Sequence, residues 1–255
     1  MNPILFSIGP FQVHWYGILI AAATVISYWL TQRNVRAYGI DPNKADRLFI
    51  KVIIAIFVGA RLAYILSEWR FYMANPLEII RVDHGGLGSH GAILAALVCG
   101  YFWTKKDGFC YWQLADATTP ALPVGHIFVR LGNFINGELY GPPTTLPWGV
   151  DFPSTAGPVH PSQLYELLTS LIILPLALKW SAKPRYPGYA FVRVLLAHSL
   201  VRFFMDFLRQ SDQPFEGLVL TQYMALALVA CCAGLIWYWE THKHGEGKIP
   251  GSNGE

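Results

Sequence analysis

Apolar residues in this chain come in long blocks, with little of the polar interruption that marks a soluble fold. Seven blocks can be drawn, at residues 16–30, 48–66, 87–103, 112–131, 164–178, 188–208 and 218–239. Runs of this kind, near 20 residues, predict helices that cross a bilayer. They lack the strict apolar–polar alternation of outer-membrane barrel strands. The expected fold class is therefore an all-α integral membrane protein with seven transmembrane helices. The fourth block holds Thr119, Pro120 and Pro123. Proline removes a backbone donor and clashes with the preceding turn, so a kink or break is expected there.

Composition agrees with this pattern. Of 255 residues, 53% are hydrophobic and only 14% charged, against about 25% charged in an ordinary soluble domain. A net charge of +3 points to neither nucleic acid nor an acidic partner. The four cysteines, Cys99, Cys110, Cys231 and Cys232, have no zinc or redox spacing, and three lie in apolar blocks as inert thiols. The N-terminus shows no basic region or cleavage site, so no removable signal peptide is expected.

Charge sets the orientation. The loops after the first, third and fifth blocks and the tail carry Arg33, Arg36, Lys44, Arg47, Lys105, Lys106, Lys179, Lys183, Arg185, Lys243 and Lys248, eleven in all. The alternate loops carry three: Arg70, Arg81 and Arg209. Positive charge stays on the cytoplasmic side, which places the N-terminus outside (periplasmic) and the C-terminus in the cytoplasm. Residues 1–240 form one polytopic domain, and residues 241–255 a short cytoplasmic tail without stable structure.

With that orientation the costly polar residues gather toward the outer face. Tyr16 opens the first block, Arg61 lies in the outer half of the second, and His90 begins the third. The run R-L-G-N-F-I-N-G-E-L-Y-G at residues 130–141 closes the fourth. His160, Gln163, Tyr165 and Glu166 open the fifth, Arg202, Asp206 and Arg209 end the sixth, and Gln222 begins the seventh. An arginine at mid-membrane costs roughly 2.5–3.5 kcal/mol, so Arg61, Arg130 and Arg202 need anionic partners. Arg202, Asp206 and Arg209 share one helix face, where Asp206 can pair with either arginine. The surplus of guanidinium groups suits a phosphate, which they bind in a forked geometry.

Plainer roles compete at each position. Arg61 can pair with Glu68, Asp206 can be a structural counter-ion, and Asn133 and Asn136 can hold helices together. His90 stands in G-G-L-G-S-H-G, whose glycines allow a backbone or substrate close approach. His14 and His126 have no such context, while His198, one turn before Arg202, is placed to face the same cavity.

These segments resemble the bacterial prolipoprotein diacylglyceryl transferase family. The likeness rests on G-x-x-x-x-R-L-G-N-F-I-N-G-E-L-Y-G at 125–141, H-W-Y-G at 14–17, G-A-R at 59–61 and H-G at 90–91. It extends to H-P-S-Q-L-Y-E at 160–166 and R-F-F-M-D-F-L-R-Q at 202–210, so it spans nearly the whole chain in order. The resemblance implies a multi-pass enzyme of the bacterial inner (cytoplasmic) membrane. It would move the diacylglyceryl group of phosphatidylglycerol to the lipobox cysteine of preprolipoprotein signal peptides, releasing glycerol phosphate. No metal or cofactor is implied.

In the family the positions matching Tyr16, His90, Arg130, Asn133, Glu138, Gly141 and Arg202 are functional. Three positions depart from its pattern: Val129 replaces a usual glycine, Asp206 a usual glutamate, and His198 a common tyrosine. The expected catalytic residues are His90, Arg130 and Arg202, with Tyr16, Arg61, Asn133, Asn136, Glu138, Gly141 and Asp206 binding substrate. His90 is the candidate base for the thiol, whose pKa near 8.5 leaves it mostly protonated at neutral pH. The competing class is a transporter or flippase for an anionic lipid or solute. Against it stand the absence of an internal repeat of blocks and the bias of polar groups to one leaflet.

Overall fold

A computed structural model describes residues 3–9, 11–81, 86, 88–183, 185–209 and 218–242. These residues are mostly helical. A short antiparallel hairpin, β1 (Ile4–Ile8) and β2 (Phe11–His14), comes first. It is the one departure from an all-α fold among the described residues apart from isolated bridges in a later loop. Strands of five and four residues are too short to register as a block.

The helices follow as α1 (Trp15–Val35), α2 (Pro42–Ser67), α3 (Trp69–Ala74), α4 (Ser89–Asp107) and α5 (Tyr111–Thr118). After them come α6 (Ala121–Asn136), α7 (Ser162–Ala182), α8 (Tyr189–Met205) and α9 (Leu220–His242). The expected break in the fourth block is present: α5 stops at Thr118 and α6 starts after Pro120. The loop expected after the second block instead contains α3 and a 3-10 turn, Pro76–Ile79. Three helices, α2, α7 and α9, are long and apolar enough to cross a membrane, with mean hydropathies of 2.2, 1.3 and 1.7 over 18-residue windows. Helix α9 runs two residues past the expected domain end; residues 243–255 of the expected tail, with Lys243 and Lys248, lie outside the described residues. So do Gly85 and Leu87 of the glycine-rich run and Gln210.

The chain divides into two compact units, Met1–Gly39 with Ala115–Glu255, and Ile40–Leu114. In the first, α6 packs against α1 and α7, α7 against α8, and α8 against α9. Ala23, Leu30 and Val124 form one buried cluster, and Ile173, Ala177 and Val194 another. In the second, α2 packs along α4 through Gly59 and Gly91. A Cβ on Gly91 would sit 2.2 Å from the Gly59 carbonyl oxygen, so this approach of backbones requires glycine.

One end of the first unit is held by a buried carboxylate. Asp116 of α5 is fully buried and caps α8 from across the fold. Its Oδ2 accepts from the Gly188 amide at 2.7 Å, and its Oδ1 from the amides of Ala190 and Phe191 at 2.9 and 2.8 Å. These are donors that a helix start leaves without an intrahelical partner. Nearby, Asn34 donates to the Ala117 carbonyl and Tyr38 to that of Ser181. Burial pushes the Tyr38 phenol well above its ordinary pKa, so it stays a donor. Arg193, an arginine of the sixth block that the hydropathy reading passes over, is neutralised by Glu240 of α9 and stacks on Tyr189.

Asp116→Ala strands three amides at the head of α8. The expected loss is about 2 kcal/mol or more of stability, read as a lower unfolding midpoint in detergent. Asp116→Asn, which keeps an acceptor, is expected to lose less.

Candidate functional site

His126, Arg130, Asn133 and Gly137 recur at three- and four-residue spacing, so they occupy one face of α6 and its end. Arg130 and Asn133 are buried. Arg130 is held by two partners: its Nε donates to His126 Nε2 at 3.2 Å, and its Nη2 meets Glu166 Oε2 at 2.7 Å. His126 in turn is 2.7 Å from Ser170 Oγ through Nδ1, and that hydroxyl donates to the Glu166 carbonyl.

Glu166 is the centre of this arrangement. It is 2% exposed and is the one acidic residue of α7. Its second oxygen, Oε1, accepts from Arg209 Nη2 at 2.7 Å and Nε at 3.1 Å. A single buried carboxylate thus bridges Arg130 and Arg209. Asp206 pairs with Arg202 one turn away, Oδ1 to Nη2 at 3.0 Å, and leaves Arg209 to Glu166. Of the two partners open to Asp206 on its helix face, the structure selects Arg202.

Glu138 is set by the end of α6 and the start of α7. Gly137 adopts φ 70°, the left-handed conformation that ends a helix, and the Glu138 amide returns to the Asn133 carbonyl. The side chains of Ser162 and Gln163 donate to the carbonyls of Leu139 and Glu138 at 2.8 and 2.7 Å. The Glu138 carboxylate then accepts from Asn133 Nδ2 at 2.8 Å and Asn136 Nδ2 at 3.4 Å. Tyr16 packs over Gly132, where a Cβ would come 2.5 Å from its ring, and lies in electrostatic range of both Glu138 and Arg130. Gly141 presses on the Leu208 carbonyl, which a Cβ would approach to 2.5 Å.

Arg130, Arg202 and Arg209 are close enough to repel one another. The three guanidinium groups share two carboxylates as ion-pair partners, Glu166 and Asp206, while the Glu138 carboxylate accepts from the two asparagines. Guanidinium groups in this number suit a phosphodiester, and Arg202, the most exposed of the three at 35%, is the most accessible to it.

In the second unit Arg61 has a different employment. Its guanidinium donates to the carbonyls of Ile79, Glu78, Arg81 and Gly86. It gathers the segment that leads to α4, and Glu68 is not among these partners. His90, on the first turn of α4, is exposed.

A family model described as prolipoprotein diacylglyceryl transferase matches residues 3–239. The chain belongs to this family. Similar curated proteins include the phosphatidylglycerol–prolipoprotein diacylglyceryl transferase of Bordetella parapertussis, 32% identical over 92% of this chain and 94% of the relative. Those of Synechococcus elongatus, at 34% over 93% and 88%, and Thermosynechococcus vestitus, at 35% over 88% and 87%, carry the same name.

Glu166, His126 and Arg209 escaped the choice of site residues. A signal for Glu166 was present: it is the one acid of the fifth apolar block, opposite arginines that each require a counter-charge. His126, which seemed to lack context, lies one turn before Arg130 and anchors it.

Glu166→Gln keeps the side-chain shape and removes the charge that Arg130 and Arg209 share. Breaking a buried pair from one side costs about 3–5 kcal/mol. A large fall in the unfolding midpoint is expected, together with lost transferase activity in whatever protein remains folded. An unchanged midpoint would mean that the two guanidinium groups find their counter-charge elsewhere.

Proposed function

We propose that this protein transfers the sn-1,2-diacylglyceryl group of phosphatidylglycerol to the lipobox cysteine thiol of a prolipoprotein, the first step of lipoprotein maturation. The observation that carries the reading is the cluster of three arginines around two buried carboxylates, found in a chain of this family. It supplies the guanidinium donors that a lipid phosphodiester needs. The protein is a transferase, and its work is to make a good leaving group of a phosphate.

The sulphur attacks the glycerol carbon that bears the phosphate. A C–S bond forms as the C–O bond breaks, and the bonding pair leaves with glycerol phosphate. Arg202 and Arg130 hold the phosphodiester and stabilise the charge that grows on its bridging oxygen. Glu166, His126 and Arg209 keep Arg130 aimed; Asp206 does the same for Arg202. Tyr16, Asn133, Asn136 and Glu138 orient the glycerol, and Gly141 permits the close packing behind them. His90 takes the thiol proton, and Arg61 shapes the segment before it.

The same proposal includes one polytopic domain of seven spans over residues 1–240, an outside N-terminus and a cytoplasmic tail in the bacterial inner membrane. Three helices that meet the length and hydropathy of a span, and the loop charges, support it. The loop over residues 137–161, which has no lysine or arginine, is the proposed receiver of the signal peptide.

The test is transfer of radiolabelled diacylglyceryl from phosphatidylglycerol to a lipobox peptide in membranes. Wild type is expected to label the peptide, and Arg130→Ala or Arg202→Ala to lose about 10²–10³-fold in turnover while still inserting. Normal transfer by the Arg202 variant would sink the phosphate clamp; no transfer by well-inserted wild type would favour a lipid transporter. His90→Gln is expected to lower kcat about 10²-fold with little change in lipid KM. Equal losses in both would make His90 structural.

A further inference from the structure

Among the described residues, four side-chain atoms of the first unit are buried and hydrogen-bonded to nothing: Asn133 Oδ1, Gln163 Oε1, His198 Nε2 and Asp206 Oδ2. Three are oxygen acceptors by nature. The histidine nitrogen is one by circumstance. His198 Nδ1 lies 3.1 Å from the Val194 carbonyl, which can only accept, so the proton of the neutral ring sits on Nδ1. That leaves a lone pair on Nε2. Buried polar atoms are normally satisfied, so a set of orphans of one kind points to a ligand that brings donors. The arginines beside them call for an anion. Together the two demands describe an anionic ligand that carries hydroxyl groups.

His198 is the member of the set best placed to read such a ligand. It lies one turn before Arg202 on the same face of α8. Its ring meets the ring of His126 edge-on, with centroids 5.7 Å apart. His126 is itself in contact with Arg130. Nε2 therefore lies among the side chains that carry both phosphate-holding arginines. Unlike Asp206, His198 is not held by an ion pair, and nothing in the mechanism above uses it.

We propose that His198 is a specificity residue for the lipid head group. Its Nε2 accepts a hydrogen bond from a hydroxyl of the glycerol esterified to the phosphate. This rests on the phosphatidylglycerol reading given above. The alternative role, base for the thiol, is disfavoured by charge. A proton captured at Nε2 would add a positive charge against the ring of His126, which is itself in contact with Arg130. A hydroxyl donor satisfies the nitrogen without adding charge.

The experiment compares phosphatidylglycerol with phosphatidylpropanol, whose head group has the same carbon chain and no hydroxyl. Both are presented in the same mixed micelles to wild type, His198→Phe and His198→Gln. An unpaired buried acceptor is worth about tenfold, so wild type is expected to prefer phosphatidylglycerol by about that factor in kcat/KM, and the phenylalanine variant by under about twofold. The glutamine variant, which retains an acceptor, is expected to keep most of the preference. The readout is a ratio within one preparation, so the amount of folded protein cancels. If the phenylalanine variant is wholly inactive, His198→Leu is read by the same ratio. Full preference in a variant without an acceptor, or equal use of both lipids by wild type, overturns the proposal and leaves the transfer reaction standing. Transfer from neither lipid by wild type removes the reaction itself.

Discussion

A guanidinium group withdrawn from water must be met by negative charge, and that requirement organises the cluster around Glu166. Glu166 meets it twice. One oxygen holds Arg130 and the other holds Arg209, so a single residue of α7 ties the end of α6 to the chain beyond α8. The cost of burying a carboxylate is offset only because both of its oxygens are engaged by cations. Asp206 serves Arg202 in the same way with one oxygen. Three guanidinium groups thus share two carboxylates as direct partners, in a family whose named members carry an anionic phospholipid in their name. The aim of Arg130 is thus a consequence of helix packing: α6 must lie against α7 for its guanidinium to find a counter-charge at all.

The same logic of distant partners appears at the opposite pole of the first unit. Asp116 supplies the cap that α8 lacks, since Gly188 has no side chain with which to provide one. Asn34 of α1 and Tyr38 of the turn that follows it donate to backbone carbonyls in the same region. One unit is therefore fixed at both ends by buried carboxylates, one meeting amide donors and the other guanidinium groups. Between them the helices need only apolar contact, which the clusters around Val124 and Ile173 provide.

What could be read in advance follows from sequence separation. Hydropathy is a local property, and it located the long helices with ends off by up to six residues, including the interruption at Pro120, but it left α3 in a loop. The cost of polar groups in apolar surroundings pointed to Arg130, Asn133 and Arg202 before any partner was visible. Pairs within one turn, such as Arg202 with Asp206, were also open to inspection. Partners far apart in the chain were not. Arg209 and Glu166 are 43 residues apart, and Asp116 and Gly188 are 72 apart. No periodicity records such distances, so Asp206 remained open to either arginine and His126 looked idle. The hairpin at the N-terminus escaped because its strands are shorter than any block that a hydropathy reading resolves.

The loop between α6 and α7 leaves and returns through a clasp. The Gly141 amide donates to the His160 carbonyl, and the His160 amide to that of Pro142. Glu138 is fixed on the near side of this clasp, by Gln163 and Asn133, while residues 151–157 lie well beyond it. Lengthening a surface loop costs little free energy once its ends are pinned. The outer part of the loop is thereby free to change in length and composition without disturbing the carboxylate. The fold in this way separates a loop that can change from the carboxylate that the clasp holds in place.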